Sequence, residues 1–115
     1  MRVLIDVDLD DDALARLRAL PGVTVDLAHP IEEEARPLPV EQIREIDAIF
    51  CSALPSNAEC MTSLRWVQAA SVGIEHLVPW NLPARNVQVT NAQGVFDVPI
   101  GQWCIAMMIN MARDL

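Results

Sequence analysis

Ser71-Val72-Gly73 follows an apolar run from Trp66 to Ala70 and precedes a short amphipathic segment, Ile74-Glu75-His76-Leu77. An apolar run that breaks at small residues is how a buried parallel strand opens into a loop at its carboxyl end. Ligands of open α/β sheets bind at those ends. Gly73 is free to take a positive φ and lets a ligand come close to the backbone. A turn of this kind can aim backbone N–H groups at an anion. The chemistry open to it is the binding of a carboxylate or phosphate. The competing reading is a glycine that only turns the chain.

No other group of reactive residue types forms a site by spacing. Asp6, Asp8 and Asp10 have the composition of a divalent-metal site, but alternation along a strand brings together only every second side chain. They read as solvated loop and helix-cap carboxylates, and nothing resembles an EF-hand loop. His29 and His76 have no second His or Cys at ligand spacing, so no metal site is expected. Glu75 and His76 are adjacent, do not face each other, and read as surface positions. Cys51, Cys60 and Cys104 are odd in number and lack C-x-x-C spacing, which suits idle thiols in a reducing cytosol. No nucleophile elbow, P-loop or G-x-G-x-x-G fingerprint occurs, and Gly94 is too isolated to cradle a phosphate.

The elements that must position the turn alternate between strand and helix. Residues 2–7, 23–27, 48–51, 66–70 and 87–90 read as short apolar, β-branched strands. Between the first two, Asp10 or Asp11 caps a helix with Leu14, Leu17 and Leu20 on one face, stopped by Pro21-Gly22. Residues 28–40 are loop-like, 40–46 make a short helix, and Asn57 caps a helical turn reaching Ser63. This order predicts βαβ units, a flavodoxin-like parallel sheet and helices on both faces. From Val98 to Ala112 a final helix follows, with Asp97 as its N-cap and Pro99 in its first turn. Only Gln102 and Asn110 in that helix are clearly polar. A helix apolar on every face expects burial on every face. It predicts packing against something outside the first 97 residues: further polypeptide or a second subunit. The alternative is a helix lying in a sheet groove with one side in solvent.

Composition bounds the function. The 115 residues carry 16 acidic and 8 basic side chains, a net charge of -8, and no lysine. That leaves no footprint for nucleic acid or an anionic membrane. Hydrophobic residues make up 52%, which excludes a disordered chain. No apolar run reaches the roughly 18 residues of a membrane span. No signal-peptide pattern follows Met1, so a cytoplasmic location is expected.

Two blocks carry a family likeness. Leu64-Arg-Trp-Val-Gln, with Ser71-Val-Gly-Ile-Glu-His-Leu77, resembles the D-isomer-specific 2-hydroxyacid dehydrogenases. So does Val87-Gln-Val-Thr-Asn91, followed by Gly94-Val-Phe-Asp-Val-Pro-Ile-Gly-Gln-Trp103 and Met107-Met-Ile-Asn-Met-Ala-Arg113. The resemblance implies that residues 1–97 are the amino-terminal part of a flavodoxin-like substrate domain. Residues 98–115 would be the helix leading into a Rossmann domain, which this chain lacks. It implies an NAD- or NADP-dependent reduction of a small 2-oxo acid to its D-2-hydroxy acid. It further implies that Ser71, Val72 and Gly73 hold the substrate carboxylate and that Ser52 and Ala53 border it. Val72 and Ile100 would lie near the nicotinamide. The family's catalytic arginine, glutamate and histidine fall beyond residue 115, as does its glycine-rich fingerprint, and Arg113 is not that arginine. Gly101-Gln102 replaces the family's alanine-glutamate. This chain alone is therefore expected to bind no dinucleotide tightly and to be catalytically incomplete. As implied partners, the long helix meets the Rossmann domain or pairs in a homodimer. Two other classes stay open: a stand-alone carboxylate-binding module, and an interaction protein that uses the helix over 98–115.

Overall fold

The computed structural model describes residues 1–115. Five parallel strands form one sheet in the order β2-β1-β3-β4-β5, with β1 at Arg2–Asp6, β2 at Thr24–Leu27, β3 at Ala48–Cys51, β4 at Trp66–Ala69 and β5 at Gln88–Thr90. The order is the flavodoxin-like one. Three α-helices accompany them: α1 at Asp11–Arg18, α2 at Val40–Ile43 and α3 at Asp97–Arg113. Short 3₁₀ turns cover Ala58–Cys60, Glu75–Trp80 and Leu82–Arg85.

Alternation along the strands sorts the side chains into two faces. On one face Leu4, Ile49 and Val67 stand in register across β1, β3 and β4. All three are buried, with Ile43, Ile46, Met61, Leu77 and Leu82 packed over them. Each such side chain contributes about 1.5–3 kcal/mol relative to exposure. On the other face Ile5, Phe50, Gln68 and Thr90 stand in register. Only α1 covers this face. It leaves an apolar groove of about 550 Å³ lined by Val3, Ile5, Leu17, Phe50 and Trp66. Trp66 donates its indole N–H to Thr90 Oγ1 at 2.7 Å, and Thr90 donates onward to Gln68 Oε1 at 2.6 Å. This relay stitches β4 to β5.

The termini of the elements correct the sequence reading in places. Asp10 caps α1 as expected, accepting from the Ala13 N–H at 2.9 Å. Asn57 stands at the N-cap position of the turn Ala58–Cys60, as expected, but makes no side-chain cap bond; its half-buried amide pairs with both backbone groups of Leu38, accepting at 3.1 Å and donating at 2.8 Å. Asp97 is the first residue of α3, not its cap; Phe96 holds that position without a side-chain bond.

α3 leaves the body of the molecule. No residue in it is buried; Trp103 is 63% exposed and Met111 is 81% exposed. The radius of gyration is 17.3 Å, against about 13 Å for a compact domain of this length. No helix is long and apolar enough to cross a membrane.

At the amino edge of the sheet, the Arg2 N–H donates to Asp47 Oδ2 at 2.7 Å and Arg65 Nη2 reaches Asp47 Oδ1 at 3.2 Å. The backbone bond, then the charge of Arg65, hold the Asp47 carboxyl below its ordinary value of 3.8. A lowered carboxyl stabilises the fold above its unfolded-state pKa and loses that contribution as pH falls through the folded-state value. Asp47→Asn is therefore expected to cost about 1 kcal/mol at pH 7. In urea unfolding the difference from the parent chain should shrink as pH falls below 3.8 through the lowered folded-state value.

Candidate functional site

Parallel pairing brings the carboxyl ends of β1, β3 and β4 level, with Asp6 opposite Cys51 and Cys51 opposite Ala69. Three loops leave side by side from β3, β4 and β5. The Ala70 N–H donates to the Cys51 carbonyl at 2.9 Å, and the Ala92 N–H donates to the Ser71 carbonyl at 3.0 Å. Asn91 Nδ2 donates to the Val72 carbonyl at 2.8 Å, and Ser71 Oγ donates to the Gly73 carbonyl at 2.7 Å. The carbonyls of residues 71–73 are thus all satisfied from within. The N–H groups of residues 71–74 donate to no acceptor in the chain. Consecutive free backbone donors at a strand end are the kind of feature on which anions are bound.

The predicted site residues are placed unevenly. Ser71, Val72 and Gly73 lie together in this turn, with Val72 44% exposed. Ser52 and Ala53, half-buried, leave the neighbouring strand at the same edge. Ile100 is exposed in the first turn of α3, with no hydrogen bond to the turn. Gly73 does not take a positive φ; only Gly22 and Gly94 do among the glycines. A Cβ on Gly73 would meet only Glu75 Oε2, at 2.5 Å, the tip of an exposed side chain that can move aside.

The edge also holds a group that the sequence reading took for solvated. Asp6 is 1% exposed, and both its oxygens accept from Arg36, at 2.7 and 2.8 Å. Arg36 also donates to the Pro30 carbonyl and lies 3.7 Å from Glu32. The pair fastens the loop over residues 28–39 across the end of β1. No spacing links positions 6 and 36. The available clue was an aspartate closing the strand-like run Leu4-Ile5-Asp6, where burial demands a partner. Burial, with the charge of Asp6 beside it, pushes the Cys51 thiol up to about 12. Cys51 is therefore a neutral packing residue and no nucleophile.

No family profile matches the chain. It is 29% identical over 92 residues to an erythronate-4-phosphate dehydrogenase of Shewanella baltica (strain OS195), a match covering 76% of this chain and 24% of that protein. The corresponding protein of Shewanella sp. (strain W3-18-1) is 28% identical over the same length. The chain thus spans about a quarter of the length of these curated relatives. Its fold matches the crystal structure of phosphoglycerate dehydrogenase from Lactobacillus plantarum with a TM-score of 0.66 at 20% identity. That match covers 98% of this chain and 36% of the other. The proteins reached by both comparisons are D-2-hydroxyacid dehydrogenases, the family that the two sequence blocks resemble.

Removing one partner of a buried ion pair strands the other charge. Arg36→Ala is expected to lower unfolding stability by about 3 kcal/mol. Joint replacement, Asp6→Asn with Arg36→Met, should recover part of that loss in urea titrations.

Proposed function

We propose that this chain holds the substrate carboxylate for an NAD(P)-dependent oxidoreductase that reduces a small 2-oxo acid to its D-2-hydroxy acid. The observation that carries this reading is the run of four unpaired N–H groups over residues 71–74, at the carboxyl edge of a flavodoxin-like sheet. The kinship with D-2-hydroxyacid dehydrogenases supplies the reaction class. Ser71, Val72 and Gly73 bind the carboxylate through backbone donors. Ser52 and Ala53 wall the side next to β3. Val72 and Ile100 offer apolar surface towards the nicotinamide.

The chain's own residues do not fit a dinucleotide. The turn after β1 reads Val7-Asp8-Leu9-Asp10, acidic and without glycine, and the strand before it ends on the buried Asp6. A pyrophosphate needs the opposite: glycines and free N–H groups at a helix start. Dinucleotide binding and the acid–base step therefore belong to residues other than these. Within this reading, residues 1–97 are the substrate-binding portion. The bare α3 is the surface that packs on a nucleotide-binding domain or on a second subunit.

The carboxylate reading predicts that oxamate perturbs the amide resonances of residues 71–74 in a ¹⁵N NMR titration. Gly73→Val, which fills the space beside the turn, should abolish that response. A response confined to other residues would contradict the assignment. For α3, the chain is expected to self-associate with rising concentration in light scattering. Met108→Glu, on a 68% exposed position, should return it to a monomer; a parent chain that stays monomeric at high concentration would count against an interface role.

A further inference from the structure

The two loops that meet at the site are not tied equally. The carbonyls of residues 71–73 are held by Ala92, Asn91 and Ser71. The N–H groups of Ser52 and Ala53, like those of residues 71–74, donate to no acceptor in the chain. The two sets of donors leave adjacent strands, which the bond from the Ala70 N–H to the Cys51 carbonyl joins at 2.9 Å. Burial of Leu54 steadies the middle of the loop after β3. Its far end is held by a different segment. The Ser56 N–H donates to the Arg36 carbonyl at 3.0 Å, and the Asn57 amide pairs with Leu38 at 3.1 and 2.8 Å.

Arg36 is where that outer anchor meets the sheet. Its guanidinium gives two bonds to the buried Asp6 at the end of β1, at 2.7 and 2.8 Å, and another to the Pro30 carbonyl. Its carbonyl holds Ser56. One residue thus joins the end of β1, the loop over 28–39 and the loop after β3. A bidentate fork fixes direction as well as distance, which a point charge does not. From this geometry we infer that Arg36 is a positioning residue for the anion site: through Ser56 it sets where the Ser52 and Ala53 donors stand beside residues 71–74. The inference rests on the carboxylate reading given above. Arg36 acts only through the loop, because its guanidinium is committed to Asp6 and Pro30.

Arg36→Met and Arg36→Lys test this in the full chain, beside Ile46→Val, a core truncation at the opposite end of β3. Hydrogen exchange of the Ser56 and Leu38 amides reads the anchor. Oxamate titration at residues 71–74 reads the site. In Arg36→Met both protections should collapse, and apparent oxamate affinity should fall about threefold, as for a wall in place a third of the time. Arg36→Lys keeps a charge beside Asp6 without the fork, and should show the same pattern in smaller measure; it carries the test if Arg36→Met does not fold. Ile46→Val should lower protection evenly across the fold and leave the affinity as in the parent. Ser56 and Leu38 protected as in that control, or oxamate affinity unchanged in both Arg36 variants, overturns the role of Arg36 and leaves the carboxylate turn standing. A parent chain with no oxamate shift at residues 71–74 overturns the carboxylate reading and the positioning role with it.

Discussion

Parallel pairing of β1, β3 and β4 is the constraint on which the rest of the molecule depends. It forces every strand to end on one side, so the loops that leave the sheet must crowd a single edge. At that edge the backbone runs out of ladder partners. The carbonyls of residues 71–73 are recovered by Ala92, Asn91 and Ser71, while the N–H groups remain available. The same edge buries a polar group at the end of an interior strand such as β1. Asp6 would be a stranded charge without Arg36, and the loop over residues 28–39 is held where it is by that pair.

The second organising fact is an absence of cover. One sheet face is filled by α2 and the 3₁₀ turns, the other only by α1, and α3 by nothing. Isolated helices owe most of their stability to a packed face, and apolar patches of this extent are rare on free-standing molecules. The sheet and the helix therefore tell different stories. The sheet closes around its own core on one side, whereas α3 has apolar side chains all round and none of them buried.

Much of this was legible in the sequence, for physical reasons. The five strands are short, mostly apolar runs bounded by turn residues and separated by helical segments, so the sheet class follows from patterning. That α3 finds no cover among the first 97 residues was legible from its composition, since a helix with only Gln102 and Asn110 clearly polar calls for burial on every face. The turn at Ser71 to Gly73 was legible as a loop at a strand end. The positive φ open to its glycine is not used: Gly73 keeps an ordinary backbone, and only the movable tip of Glu75 lies where a Cβ would stand. Asn57 holds its cap position, but its side chain turns to Leu38, which local spacing cannot see; Asp97 lies one residue past the cap, which falls at Phe96. Arg36 was invisible for the same reason. A contact between residues thirty apart leaves no periodic trace, and only the rule that a buried carboxylate needs a partner hints at it.

The site that emerges is electrostatically lean. Its free donors are backbone N–H groups, and the nearby Arg36 is committed to Asp6. In the proposed reading, such a site orients a small carboxylate and leaves chemistry to groups brought by other residues. The most direct test is a crystal structure of the chain with oxamate. The account predicts carboxylate oxygens within about 2.7–3.2 Å of backbone nitrogens among residues 71–74. Oxamate seated elsewhere, with that turn bare, would contradict it.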